Sequence, residues 1–493
     1  PAAATVTNLT VNTAIYADTS AASGSTGVGT AGQILASNAG TSNPYWVTLN
    51  TTALADNLVE NNSIWIGNDP SSTTDTASAN VAVGTTALDA ITTGDSNVAV
   101  GYNTGTAITT GGSNVLVGHS AGLALEAGGY NVAVGVLALA AEDGNGKNIA
   151  IGYGALTDQN AGAEAFNIGI GYNAGTSIST GIRNTIVGGT AGDALTTANN
   201  NTIMGYAAGT ALLSGADSVL IGKDAGLSLT TGHYNVAIGD SALNTEDSGG
   251  KNVAIGKSAL ASLNAGADGE NVAVGYRAAL NQTTGLYNVI VGSEAGDALT
   301  TGSNNVAVGY ASLGAEDGNG ENVAVGYRAL TSQNAGADAY NVAVGSDAGK
   351  AVSTGVSNVL VGGRAGQATT VGAKNIFVGK DAGYTNVDGS KSVGVGFEAL
   401  KVQEPSGATD CHNIGIGDQA GVAISTGIKN ISIGGTTAGA LTTGSNNITI
   451  GHATNVSKSN ADNQVVIGYN ATAIIDNSVM LGNASTTLWH PAD

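Results

Sequence analysis

The residues of this chain that could do chemistry are few and scattered. Gly256-Lys257-Ser258 ends like a phosphate-binding loop, in which a glycine-rich turn aims backbone N–H groups at phosphates and a lysine supplies charge. That loop also needs a glycine at position 251, where this chain has Lys. Runs such as Gly169-Ile170-Gly171 read as turn glycines and need no dinucleotide. The five histidines, His119, His233, His412, His452 and His490, lie far apart, so no nucleophile, base and orienting acid can be assembled around one of them. Paired carboxylates on neighbouring repeats would suit glycan cleavage, but regular repeats offer few long loops from which to build a cleft. Four acidic turns begin at Glu142, Glu246, Glu316 and Asn386. Calcium needs six to eight oxygen ligands, more than one such turn supplies, and solvated turns are expected. Cys411-His412 gives two metal ligands without a second pair, and a lone Cys allows no internal disulfide. The expectation is a protein that is not an enzyme, with no cofactor and no metal.

What positions these residues is a repeat. Asn-Val-Ala-Val-Gly or a close variant recurs 25 times, its glycine running from Gly67 to Gly482. Of the 24 spacings, 19 are 17 residues, three are 19, one is 21 and the last is 14. A β-branched pair every 17 residues predicts one coil of a parallel β-solenoid per repeat, because a short strand satisfies its N–H and C=O groups only on its equivalent in the next coil. A second apolar residue recurs seven positions after the glycine, as in Ile91, Ile108 and Leu125, so two short strands per coil are expected.

The middle residue of each strand is never charged, and includes Leu116, Ile186, Ile203, Leu220, Ile290, Leu360 and Phe377. A strand apolar on both faces is buried on both faces. With the flanking valines assigned to the coil interior, these seven middle residues are expected at an interface with further copies of the chain. The alternative is a monomeric solenoid with one exposed Ala-rich face.

The repeat, for example Asn235-Val236-Ala237-Ile238-Gly239-Asp240-Ser241-Ala242, resembles the head repeat of YadA-like trimeric autotransporter adhesins and the related repeats of bacteriophage tail fibres, over roughly residues 62 to 482. The resemblance implies a left-handed β-roll, an elongated homotrimer of about 25 coils and attachment to cells. The 17-residue coil is longer than the adhesin's, and no membrane-anchor segment is evident; both departures lean toward the phage version, a virion protein, with a bacterial cell-surface adhesin as the alternative and a glycan-degrading tailspike as a more distant one.

Composition agrees with many thin layers. The chain has 76 Gly among 493 residues but only 3 Phe and 2 Met, which argues against ordinary globular domains. A net charge of −21 argues against nucleic acid, and no apolar run is long enough for membrane insertion. Residues 1–60 lack the repeat and read as an N-terminal connector, including the segment Gly27 to Leu49, on the side where other tail proteins would join. Residues 61–482 form the solenoid. Residues 483–493 form a tail that would suit release of an intramolecular chaperone of the endosialidase type, or any other boundary.

Each acidic turn is followed one coil later by an insertion, at Asn160, Asn264, Asn334 and, largest, Pro405 to Cys411. Such bulges break the sameness of the coils, so Asn160, Asn264, Asn334, Ser406, Thr409 and Asp410 are the candidate contacts with a bacterial glycan or protein receptor. Tyrosines recur just after the repeat glycine and just before the Asn, where they could stack on sugars or merely cover coil corners.

Overall fold

The computed structural model describes residues 33–38, 42–48, 57–67 and 73–485, except 145, 319, 406 and 408. The chain divides into two compact units, Pro1–Gly146 and Lys147–Asp493. In the first, β1 (Gln33–Asn38) pairs antiparallel with β2 (Ser42–Thr48), and β3 (Asn57–Glu60) pairs antiparallel with β4 (Ser63–Ile66). From β4 the strands β5 (Val81–Val83), β6 (Val98–Val100), β7 (Val115–Val117) and β8 (Val132–Val134) add in parallel, each on the one before. The second unit stacks twenty parallel strands, from β9 (Ile149–Ile151) to β28 (Ser478–Leu481). Nineteen steps at the usual strand spacing make that stack about 90 Å long. The architecture is an all-β parallel solenoid of about 24 turns, with no helix among the described residues.

Each coil holds one strand, of three or four residues, not the two strands expected. The apolar residue seven positions after the glycine is buried, but it lies in a turn: Ile108 N–H bonds the C=O of Gly105, three residues back, at 3.1 Å. A chain turning that tightly cannot lie extended beside its neighbour. The repeat glycine makes the corner possible. At Gly101, φ is 140°, and a Cβ there would stand 2.5 Å from the carbonyl oxygen of Gly118 in the next coil, so only glycine lets consecutive corners stack.

The interior has a polar column and an apolar one. The residue before each of the strands β5 to β26 is Asn, or Ser at 218 and 392, and it is buried. The Oδ1 atom of Asn184 accepts the backbone N–H of Asn201 at 3.0 Å, and Asn184 Nδ2 donates to the C=O of Ala198 at 2.9 Å. Repeated coil after coil, this ladder pairs backbone groups at a corner where no strand partner is in reach, which makes so much buried amide tolerable.

The apolar column overturns the interface assignment. Leu116, Ile186, Ile203, Leu220, Ile290, Leu360 and Phe377 are 0–1% exposed within their own chain. They fill the solenoid core, and no neighbouring chain can touch them. The outward residues are the flanking Val, Ile, Thr and Met. The reason is volume. The fourth residue after the repeat glycine packs beside the middle residues of its own strand and the next, and the two positions share one space. Leu88, Leu139, Leu156, Leu243, Leu260, Leu313, Leu330 and Leu400 each lie between middle residues that are Ala or Gly, whereas all seven large middle residues are flanked by Gly or Ala at that fourth position. Cβ atoms added at Gly209 and Gly226 would approach Leu220 Cδ atoms to 2.8 and 2.9 Å, and one at Gly383 would lie 2.4 Å from the Phe377 ring. Middle residues vary in size because a partner inside the same coil compensates.

Candidate functional site

Three outward features remain once the core is assigned. The first is the strand face. Because the middle residue points in, both flanking side chains point out, and the ladder Thr202–Val219–Val236, with Met204–Ile221–Ile238 beside it, continues in register along the second unit. These side chains are half-buried by their neighbours in the stack, while Met204, Val289, Ile376 and Ile416 are about 40% exposed. An uninterrupted apolar strip of this kind marks an interaction surface.

The second feature is the row of bulges. Asn160, Asn264 and Asn334 are exposed, yet their backbone still belongs to the ladder, each N–H bonding the next coil at 2.7–2.8 Å. The chain leaves the ladder just after them, and nothing lies within 4 Å of the Cβ positions at Gly162, Gly266, Gly336 and Gly407. All four bulges sit at the same corner of their coils. Asn160 and Asn264 are six coils apart and Asn264 and Asn334 four, roughly 29 and 19 Å along the stack, so the structure sets them in a line and does not gather them into one pocket. Ser406 lies outside the described residues. Thr409 is half-buried, and its C=O accepts the N–H of Ser390 at 2.9 Å. Asp410 is exposed and pairs with Lys391 at 2.5 Å; that hydrogen bond holds its carboxyl below the usual carboxylate range.

The acidic turns differ from the expected solvated turns. Their aspartates, Asp143, Asp247 and Asp317, are exposed, but Glu142, Glu246 and Glu316 are fully buried. They occupy the position held by Ile or Leu in coils such as those of Ile108, Leu229 and Leu263. Glu246 shows what the carboxylate does: it accepts Gly249 N–H at 2.7 Å within its turn and Ala265 N–H at 3.1 Å in the bulge of the next coil. Lys251 adds ion pairs to Asp268 at 2.8 Å and Glu270 at 3.3 Å, which raise its own pKa, and Asp268 is lowered in return. Turn and bulge form one module. The sequence signal was there, since Glu246 falls at the seventh position after Gly239, in the apolar register.

The third feature is aromatic. Tyrosines after the repeat glycine are 46–71% exposed, and those of the second unit share one edge of its stack. Tyr153 stacks on Tyr172 with ring centroids 5.4 Å apart, and Tyr310 on Tyr327 at 5.6 Å. The Arg328 guanidinium lies over the Tyr327 ring and makes a two-point ion pair with Asp347 at 2.9 and 3.2 Å. Cys411 is buried, its thiol donating to the C=O of Thr409, and burial pushes its pKa up. Among the described residues no three His, Cys, Asp or Glu side chains come together as metal ligands, and no helix is long and apolar enough to cross a membrane. No protein-family model matches the chain, and neither a curated protein nor a solved structure matches it.

Proposed function

We propose that this chain is a structural attachment protein: a left-handed, YadA-head-like β-roll, three copies of which pack around a common axis as the shaft or receptor-binding region of a bacteriophage tail fibre that adheres to a bacterial surface. The observation that carries the reading is the outward Val and Ile ladder, which its own chain leaves half-covered in coil after coil. Three copies of the ladder turned toward a common axis would cover one another and bury apolar area in every turn. In this reading the interface lies on the residues flanking each middle residue. The bulges at Asn160, Asn264, Asn334 and Pro405 give each copy a line of distinct loops at one edge, suited to a repetitive glycan or protein receptor on the cell.

The test is the mass in solution together with adsorption to cells. The native chain should sediment at about three times the 47.8 kDa of one chain. Met204→Lys with Val289→Lys should break the assembly, because a charge held in an apolar interface costs several kcal/mol. Trimming the four bulges should leave that mass unchanged and weaken adsorption to a host bacterium. A folded, soluble monomer would overturn the assembly, and unchanged adsorption after trimming would move recognition off the bulges.

A further inference from the structure

At two places in the second unit a single small residue stands between exposed tyrosines of the coils on either side. Backbone bonds fix the order along the stack. Thr190 N–H bonds the C=O of Tyr172 at 2.7 Å and Ala207 N–H bonds the C=O of Gly189 at 3.1 Å, so Gly189 lies one coil beyond Tyr172 and one coil short of Tyr206. In the same way Glu294 N–H bonds Tyr276 C=O at 2.9 Å and Ala311 N–H bonds Ser293 C=O at 3.1 Å, which puts Ser293 between Tyr276 and Tyr310.

In both places one wall of the gap is backed from outside. Tyr153 already stacks on the far face of Tyr172, with planes 13° apart, and Tyr327 on the far face of Tyr310, with planes 17° apart. The ring faces that Tyr172 and Tyr310 have left over are those turned toward the gaps. Two coils span roughly 9.6 Å along the stack. The near-parallel rings of neighbouring coils stand 5.4–5.6 Å apart by their centroids, more than one coil step, so they are slanted, and faces two coils apart leave room for about one ring between them. A sugar ring, with C–H bonds on both faces, fits such a space. Its hydroxyls would leave through the rim, where polar groups stand ready at the Ser293 gap. The Glu294 carboxylate beside Tyr310 pushes the phenol's pKa up, and Arg277 follows Tyr276 in the chain. At the Gly189 gap the Tyr206 ring leans in, 3.6 Å from where a Cβ on Gly189 would be.

We propose that these gaps are sugar-binding slots, each clasping one pyranose unit of a bacterial surface polysaccharide between two tyrosine faces, with Glu294 and Arg277 serving its hydroxyls at the Ser293 slot. The proposal deepens the attachment reading and rests on it for the source of the sugar. It does not use the bulges, which lie at another corner of the coil.

The slots can be filled without disturbing the fold, because tyrosine already occupies the equivalent position in the neighbouring coils. The probe is an immobilised panel of bacterial capsular and O-antigen polysaccharides, applied to the full-length protein. The wild-type protein should bind at least one of them. Gly189→Tyr with Ser293→Tyr should weaken that binding at least tenfold while thermal unfolding and solution mass stay as in the wild type, and Tyr310→Ala should weaken it as well. Binding to none of the polysaccharides, or equal binding by the filled variant, would overturn the slots; so would a changed solution mass in that variant, since the tyrosine edge would then face another subunit. Adsorption to host cells, read on the same samples, separates the two proposals. Cells held by a protein that binds no polysaccharide would refute the slots alone, whereas a wild type that adsorbs to no cell would refute attachment.

Discussion

Leu220 and Gly226 should behave as one packing unit, and the energies involved are large enough to measure. Leu220 is fully enclosed, in register with Ile203 and Ala237. Leu220→Ala opens a hole that the stack cannot close, because ladder hydrogen bonds hold the coils at a fixed spacing, and such a hole costs about 2–5 kcal/mol. Gly226→Leu puts a side chain where a Cβ alone would stand 2.9 Å from Leu220 Cδ2. Overpacking of that kind costs about 1–3 kcal/mol. With φ at 59°, the left-handed backbone adds about 1–2 kcal/mol for an L-residue. Combined, the substitutions recreate the arrangement of Leu243, which sits at φ 51° between Ala237 and Ala254. The hole and the overpacking then cancel, leaving only the backbone term of about 1–2 kcal/mol. Independent losses would total about 4–10 kcal/mol, so the double-mutant cycle should show a favourable coupling of at least about 2 kcal/mol. Repeat arrays unfold unevenly, so equilibrium urea unfolding should be read together with amide exchange of the strands at Ile203, Leu220 and Ala237. A double variant less stable than either single one, with the losses adding, would refute the shared-volume reasoning.

Other perturbations probe the polar parts. Asn201→Ala leaves Gly215 C=O and Ser218 N–H without their side-chain partner, at about 1–3 kcal/mol each, and should lower the unfolding temperature clearly. Asn201→Ser should cost less, since Ser218 stands in the same slot and accepts the Asn235 N–H at 3.1 Å; equal losses would refute the ladder's role. Glu246→Leu fills its slot as Leu229 and Leu263 do in the adjacent coils but removes two acceptors. Exchange at Gly249 and Ala265 should quicken by about tenfold with the strand Val236–Ile238 unaffected, whereas unchanged exchange at both would refute the anchoring role. Asp410, lowered by Lys391, contributes stability that is complete above the ordinary aspartate value of about 3.9 and is lost as pH falls through the depressed one. Carboxyl-carbon NMR should therefore place its midpoint below that of an unpaired surface aspartate, and Lys391→Met should bring it back; an ordinary midpoint in the native chain would contradict the pairing.

The bulge positions were legible as insertions, because a fixed period exposes any departure from it, and the open tips at Gly162, Gly266 and Gly336 follow from that alone. The burial of Glu246 was harder to read. An acidic residue beside Asp and Gly looks like a solvated turn until its place in the coil is counted, and only the fold sets Ala265 N–H against its carboxylate. The tyrosine gaps, too, are visible as residue types in the sequence, but their meaning depends on Tyr172 and Tyr310 each being stacked from the far side.

The sequence by itself determined the solenoid. A β-branched pair recurring at 17 residues leaves backbone groups that only the next coil can pair, and a glycine at each corner lets the corners stack. It did not determine which way the strands face. Val-Ala-Val and Val-Leu-Ile are apolar on both sides, and alternation orients a strand only when one side is polar. Tertiary structure made that choice through volume: the middle residue and the fourth residue after the glycine share one narrow interior, so Leu220 turns inward beside Gly209 and Gly226, and the paired Val219 and Ile221 are left to the outer face.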